Sequence, residues 1–170
     1  MQIKKTRIPV GSIAESLLPA DYSDAFAAMI HSIRPVTPDG LQEAFWLNPP
    51  KWIELLFSLR NAIAGLFGLK GKEDYAGLAL KNCLRNGECS GMFSIAGKSP
   101  DETVLCLDDK HLKAYMSVHI KELGNNNALI TLGTVVHFHY WLGRAYFFVI
   151  RPFHGLIVRG MLKHSLKEFL

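Results

Sequence analysis

Few of the side chains able to do chemistry stand at the spacing that chemistry requires. Three histidines come nearest to a metal-binding set. His137 and His139 lie two apart, so on a strand both imidazoles point to one face. His111, just after Asp108 and Asp109, can reach that face from a neighbouring strand, and zinc tolerates three such ligands. The alternate residues around them are polar too, which reads as the solvent-facing side of a half-buried sheet. No metal and no other cofactor is assigned.

Asp24, Glu54 and Asp108 are the carboxylates available for a carboxylate–base pair, but no spacing brings them together. Arg60 and Arg144 stand inside apolar segments. Each is either an anchor for an anionic ligand group or half of a structural ion pair, for instance with Asp24, since charges near a core are normally paired. His154, beside Phe153, reads first as a hydrogen-bonded core histidine and second as a general acid–base. No catalytic residue is assigned.

Two motifs nearly fit and fail. Gly65 with Gly71-Lys72 resembles a phosphate loop, but the spacer is one residue too long and Glu73 stands where a Ser or Thr is needed. In Gly87-Glu88-Cys89-Ser90-Gly91 the serine is displaced by one from a nucleophile elbow. Neither H-E-x-x-H nor G-x-G-x-x-G occurs.

Composition narrows the class. The chain has 170 residues, 49% hydrophobic and 20% charged, with nineteen Lys and Arg against fifteen Asp and Glu. That suits one folded domain and excludes intrinsic disorder. The one dense basic run, Lys4-Lys5-Thr6-Arg7, is too short for a nucleic-acid groove. The three cysteines, Cys83, Cys89 and Cys106, are sparse and odd in number, which favours a reducing compartment. Cys83 and Cys89 either pair or stand as free thiols. The longest stretch without Lys, Arg, Asp or Glu, Leu123 to Gly143, alternates like a strand, so no transmembrane segment is expected. With no signal peptide evident, the chain reads as soluble and cytoplasmic.

The elements that must position these residues follow from periodicity. Residues 1–20 read as irregular, and a first strand is expected over Tyr22 to Ile33. Thr37 and Pro38 form an N-cap and first helical position, with Val36 able to staple onto Leu41. A second helix is expected from Pro50 to about Phe67, and one helical turn around Tyr75 to Cys83. From Gly91 the period changes to two, giving strands over Met92–Ala96, Thr103–Leu107, Leu112–Ile120 and Ala128–Tyr140. The long helix after Trp141 carries an apolar stripe of Leu142, Tyr146, Val149, Phe153 and Leu156. It also carries a basic ridge of Arg159, Lys163 and Lys167, and Pro152 should bend it. The hairpin's apolar faces match if Leu112, Ala114, Met116, Val118 and Ile120 share a side with Ile130, Leu132, Thr134, Val136 and Phe138.

Three segments carry a family resemblance: residues 50–69, from Pro50-Lys51-Trp52 to Gly68-Leu69; Asp108-Asp109-Lys110-His111-Leu112; and Gly143-Arg144-Ala145-Tyr146 with Pro152-Phe153-His154. Over about Asp21 to Leu162 the chain resembles a bacterial domain-of-unknown-function family, numbered 2867. That family is assigned to the START and birch-pollen-allergen-like (SRPBCC) superfamily. The resemblance implies an α+β helix-grip fold: an antiparallel sheet around a long, kinked C-terminal helix, with two short helices after the first strand. Residues 1–20 would precede a single domain over 21–170.

The expected function is binding of a small apolar or amphipathic molecule between the sheet and the last helix. Arg60, Met116, Val136, Phe138, Tyr140, Tyr146, Phe153 and His154 are the expected lining. One alternative is a cyclase, hydratase or isomerase using His154, Asp24 or Tyr146. Another is an interaction module presenting the basic ridge to an acidic partner or an anionic membrane. Nucleic acid is not an expected partner, and the open sheet edges allow an oligomer.

Overall fold

A computed structural model of the chain describes residues 1–32, 34–53, 55, 65, 76–87, 89–90 and 93–170. Most of the expected helix from Pro50 to Phe67, with Arg60 inside it, lies outside these residues, as does the Gly71-Lys72 pair. Residues 51–53 are helical.

Among the described residues six strands form one antiparallel sheet: β1 (Ile3–Thr6), β2 (Tyr22–His31), β3 (Phe93–Lys98), β4 (Glu102–Asp108), β5 (Leu112–Gly124) and β6 (Asn127–Phe138). Their spatial order is β1-β2-β6-β5-β4-β3. Helix α1 (Pro38–Leu47) follows β2, α2 (Ala76–Asn86) precedes β3, and α3 (Trp141–Ser165) ends the chain with a short 3-10 turn over Leu166–Phe169. The fold is α+β, an open antiparallel sheet with a long C-terminal helix, consistent with a helix-grip arrangement.

Local chemistry accounts for most boundaries. The Thr37 hydroxyl accepts from Gly40 N at 3.1 Å and Pro38 starts α1, as the cap signature predicts. The β5–β6 hairpin turns through Asn125 and Asn126 at positive φ, a region asparagine tolerates better than most side chains. α2 extends past the single turn expected. Cys83 on it forms a disulfide with Cys89, so the pairing left open by the sequence is made. The bond sits in a small cluster with Leu80, Leu84, Phe93 and Leu105, while Cys106 is a free, buried thiol.

The hairpin register matches the apolar faces. Met116 stands opposite Thr134, Val118 opposite Leu132 and Ile120 opposite Ile130. On that side Phe26, Ile30, Val118 and Leu132 pack with Leu41 and Phe45 of α1 and with Val158, Met161 and Leu162 of α3. α3 continues through Pro152.

The opposite side of the sheet departs from its expected exposure to solvent. Val104, Ser117, Thr131 and Val135 on it are buried. Residues 8–17, part of the segment read as irregular, lie across it, and β1 pairs along β2. Ile8 lies over Gly133, where a Cβ would approach its Cδ1 to 2.6 Å. Glu102 ties the segment down. Its carboxylate, 1% exposed, accepts from Ile13 N at 2.5 Å, Ala14 N at 3.2 Å and Ser117 Oγ at 2.6 Å. A buried carboxylate so satisfied also serves the otherwise orphaned donors of the 3-10 turn Ala14–Leu17. Sequence periodicity missed this because the partners lie almost ninety residues apart.

The rotation of α3 is set by one close approach. A Cβ at Gly143 would run into the His111 carbonyl oxygen. Gly143 therefore faces the sheet, and with it Phe147, Val158, Met161 and Ser165, all buried.

Two substitutions test these anchors in urea denaturation. Gly143→Ala should cost about 2 kcal/mol or more through backbone collision. Glu102→Ala should cost about 2–4 kcal/mol by stranding buried donors, and should speed amide exchange over residues 12–17 while sparing α1. Unchanged exchange there would mean that other contacts hold the segment.

Candidate functional site

Tyr22 and Asp24 lie two apart on β2, so both point to the side of the sheet that α3 covers. Tyr22 stands opposite Val136, which stands opposite Ala114. Asp24 stands opposite Thr134, which stands opposite Met116. Phe138 extends this floor by one more pair, with Leu112. Above it, Phe147 and His154 are seven apart on α3, two turns along the row that begins at Gly143.

Aromatic rings close the space between floor and helix. Tyr22 and Phe147 have centroids 4.7 Å apart, and Phe138 and Phe147 5.4 Å. The His154 ring lies 5.7 Å from Tyr22, edge-on, and 6.0 Å from Phe147. Among these rings sits a carboxylate. Asp24, 6% exposed, accepts from the Tyr22 hydroxyl at 2.6 Å, and its other oxygen lies 3.5 Å from His154 Nε2. That second spacing is too long for a tight hydrogen bond.

The electrostatics follow from these contacts. Burial pushes the Asp24 carboxyl up, but the His154 imidazole, the Tyr22 hydroxyl and Thr134 together hold it below the ordinary value of 3.8. Burial raises the Tyr22 phenol well above its usual range, and the neighbouring Asp24 charge raises it further. Tyr22 thus stays a neutral donor, and Asp24 a carboxylate, throughout the physiological range.

A cleft of about 280 Å³ opens beside this cluster, lined by Asp21, Tyr22, Phe138, Arg144, Phe147, Phe148 and Arg151. Arg151 lies over the Tyr22 ring at 5.5 Å. Arg144 pairs with Asp21 at 2.6 Å, not with Asp24 as the sequence suggested. Asp21 also accepts from Phe138 N at 2.8 Å; that bond, together with Arg144, keeps its carboxyl below the ordinary value despite partial burial.

The structure thus brings Met116, Val136, Phe138 and His154 to one region. Tyr146 is buried nearby against the His111 ring, at 5.2 Å. Tyr140 is exposed and caps α3. Phe153, 42% exposed, lies off the sheet-facing row, as do Val149 and Leu156. The stripe at positions 142, 146, 149, 153 and 156 shares only Tyr146 with the buried row. α3 carries two apolar rows, and the Gly143 contact selects the other one. Arg60 lies outside the described residues.

The three histidines do not converge. His111 packs under Tyr146 with Asp109 3.3 Å away. His137 meets the Leu17 carbonyl at 3.2 Å, and His139 meets Asp108 at 3.2 Å. Among the described residues no cluster of His, Cys, Asp and Glu suits a metal ion. Tyr22, Asp21, Phe147 and Arg151 escaped the sequence reading. The usable signal was the Tyr22-x-Asp24 spacing on a strand together with the seven-residue step from Phe147 to His154.

The Asp24 shift gives a pH prediction. A carboxyl held below its unfolded value contributes stability that is complete above about pH 4 and is lost as the pH falls through the folded value. Urea denaturation across that window should show Asp24→Asn with a shallower acid limb than the wild type. Identical acid limbs would mean that Asp24 is not coupled to folding.

No curated protein matches the chain. A family model does match it, over residues 17–161, which include β2, the cleft-lining residues and all but the last turn of α3. With well over half of its length matched, the chain belongs to the family described as Protein of unknown function (DUF2867).

Proposed function

We propose that this family member is a helix-grip domain of the SRPBCC kind, formed by residues 21–170, that binds a small apolar or amphipathic molecule between the sheet and the first half of α3. The carrying observation is the cleft itself. Its walls are the aromatic rings of Tyr22, Phe138 and Phe147, with the exposed Phe148 at its edge and Asp21, Arg144 and Arg151 completing the lining. Small-molecule sites combine aromatic walls with a small number of placed polar groups, and about 280 Å³ lies just below their usual range of roughly 300–1,000 Å³. Arg151 and Arg144 take the anchoring role expected of Arg60, so a ligand with an apolar body and an anionic end fits best. Val136 and Met116 lie further along the same face of the sheet, and His154 and Asp24 contact the Tyr22 and Phe147 side chains that line the cleft.

The Asp24–His154 pair favours a second reading on the same site. A buried carboxylate set against an imidazole stabilises a fold poorly compared with apolar packing, and perturbed titratable groups such as Asp24 cluster at functional sites. In this reading the domain is an enzyme of the isomerase, hydratase or cyclase kind, and His154 exchanges a proton with the bound molecule while Asp24 orients it.

Native mass spectrometry of protein purified from cells, with displacement of a hydrophobic dye by long-chain carboxylates, tests the first reading. Phe147→Ala and Arg151→Ala should each weaken dye binding about tenfold. Neither a bound species nor any dye binding would sink it. For the second reading, His154→Asn should keep dye binding yet abolish any turnover found in a substrate screen.

A further inference from the structure

The sheet-facing row of α3 leaves a second row pointing away from the protein. Trp141 and Phe148 are each 75% exposed, Leu156 is 52% exposed, and Pro152 between them is exposed as well. These positions advance by seven, four and four residues, one line along four turns of helix. Single exposed apolar side chains are ordinary, but an aligned row of this size is not.

Charge says what the row would meet. α3 contains Arg144, Arg151, Arg159 and Lys163 and not one Asp or Glu. Its four cations equal the net charge of the whole chain, +4. All four are exposed: Arg144, which is paired with Asp21, and Arg151 lie along one flank, and Arg159 and Lys163 continue the row beyond Leu156. A second copy of the chain would set these cations against their like. The row is also a raised ridge along a helix rather than a groove, so it suits a surface that yields. Tryptophan and phenylalanine flanked by arginines is the pattern of helices that lie in the interface of anionic bilayers. Among the described residues no helix is long and apolar enough to cross a membrane, so the contact is with the surface.

We infer that the outward row of α3, Trp141, Phe148, Pro152 and Leu156 with its arginines, docks the protein flat onto an anionic membrane surface. The inference does not depend on the cleft being occupied. Its test uses residues that do not line the cleft.

Flotation of the full chain with phosphatidylcholine vesicles, with and without phosphatidylglycerol, is the experiment. Binding to the anionic vesicles should be about tenfold or more tighter, and should weaken as salt is raised. Arg159→Glu with Lys163→Glu should lose most of that preference. Trp141→Ala with Leu156→Ala should lower binding to anionic vesicles about tenfold, with the circular dichroism spectrum unchanged. Equal binding to both vesicle types, or none to either, would overturn the inference. So would binding to polyglutamate without binding to vesicles, which would assign the row to an acidic protein. Concentration-dependent dimerisation abolished by Trp141→Ala, in protein that ignores vesicles, would assign it to a second copy. Hydrophobic-dye binding by the Trp141→Ala, Leu156→Ala variant should match the wild type, which separates failure here from failure of the cleft reading.

Discussion

The contact between Gly143 and the His111 carbonyl governs more of this molecule than its size suggests. It lies where the last strand hands over to the last helix, and it admits no side chain. A helix that starts with Gly143 against the sheet presents the row of Phe147, Val158 and Met161 inward for its whole length. From that single rotation follow the aromatic closure over Tyr22, the placing of His154 beside Asp24, and the outward direction of Trp141 and Phe148. A shift of about one residue, some 100° around the axis, would exchange those roles.

The two halves of α3 use the rotation differently. From Val158 to Leu162 the helix joins the main core, against Ile30, Val118 and Leu132, through apolar side chains. Before His154 it meets the sheet through rings, a carboxylate and an imidazole. Core packing at one end holds the helix while the other end keeps polar groups and open volume, the division expected when a rigid scaffold carries a site.

The other side of the sheet owes its burial to an acidic side chain. Glu102 sits near the start of β4, and its carboxylate gathers two backbone donors from the N-terminal segment and one hydroxyl from β5. The segment covers a face whose alternation of His, Ser, Thr and Tyr would otherwise face water. Its cover explains how Val104 and Val135 can sit on that face fully buried.

Much of the architecture was legible in the residues. Period-two alternation located the four C-terminal strands, matched apolar faces predicted the β5–β6 register, and Thr37-Pro38 marked the start of α1. These are local signals, each set by a few residues near in sequence. The cleft was legible only in part: of the residues that line it, Phe138 was named as lining and Arg144 as an anchor or ion-pair half, and the others were not. The expected stripe was the wrong apolar row of α3, and the example partner for Arg144 was Asp24 rather than Asp21. The far face of the sheet read as solvent-facing, and whether Cys83 meets Cys89 was open. Each is a choice between locally equivalent options, and contacts between residues far apart in the chain make it: Gly143 against His111, Phe138 N–H on Asp21, Glu102 on Ile13. Periodicity determines what a segment can be; the packing of distant segments decides which of its faces is used.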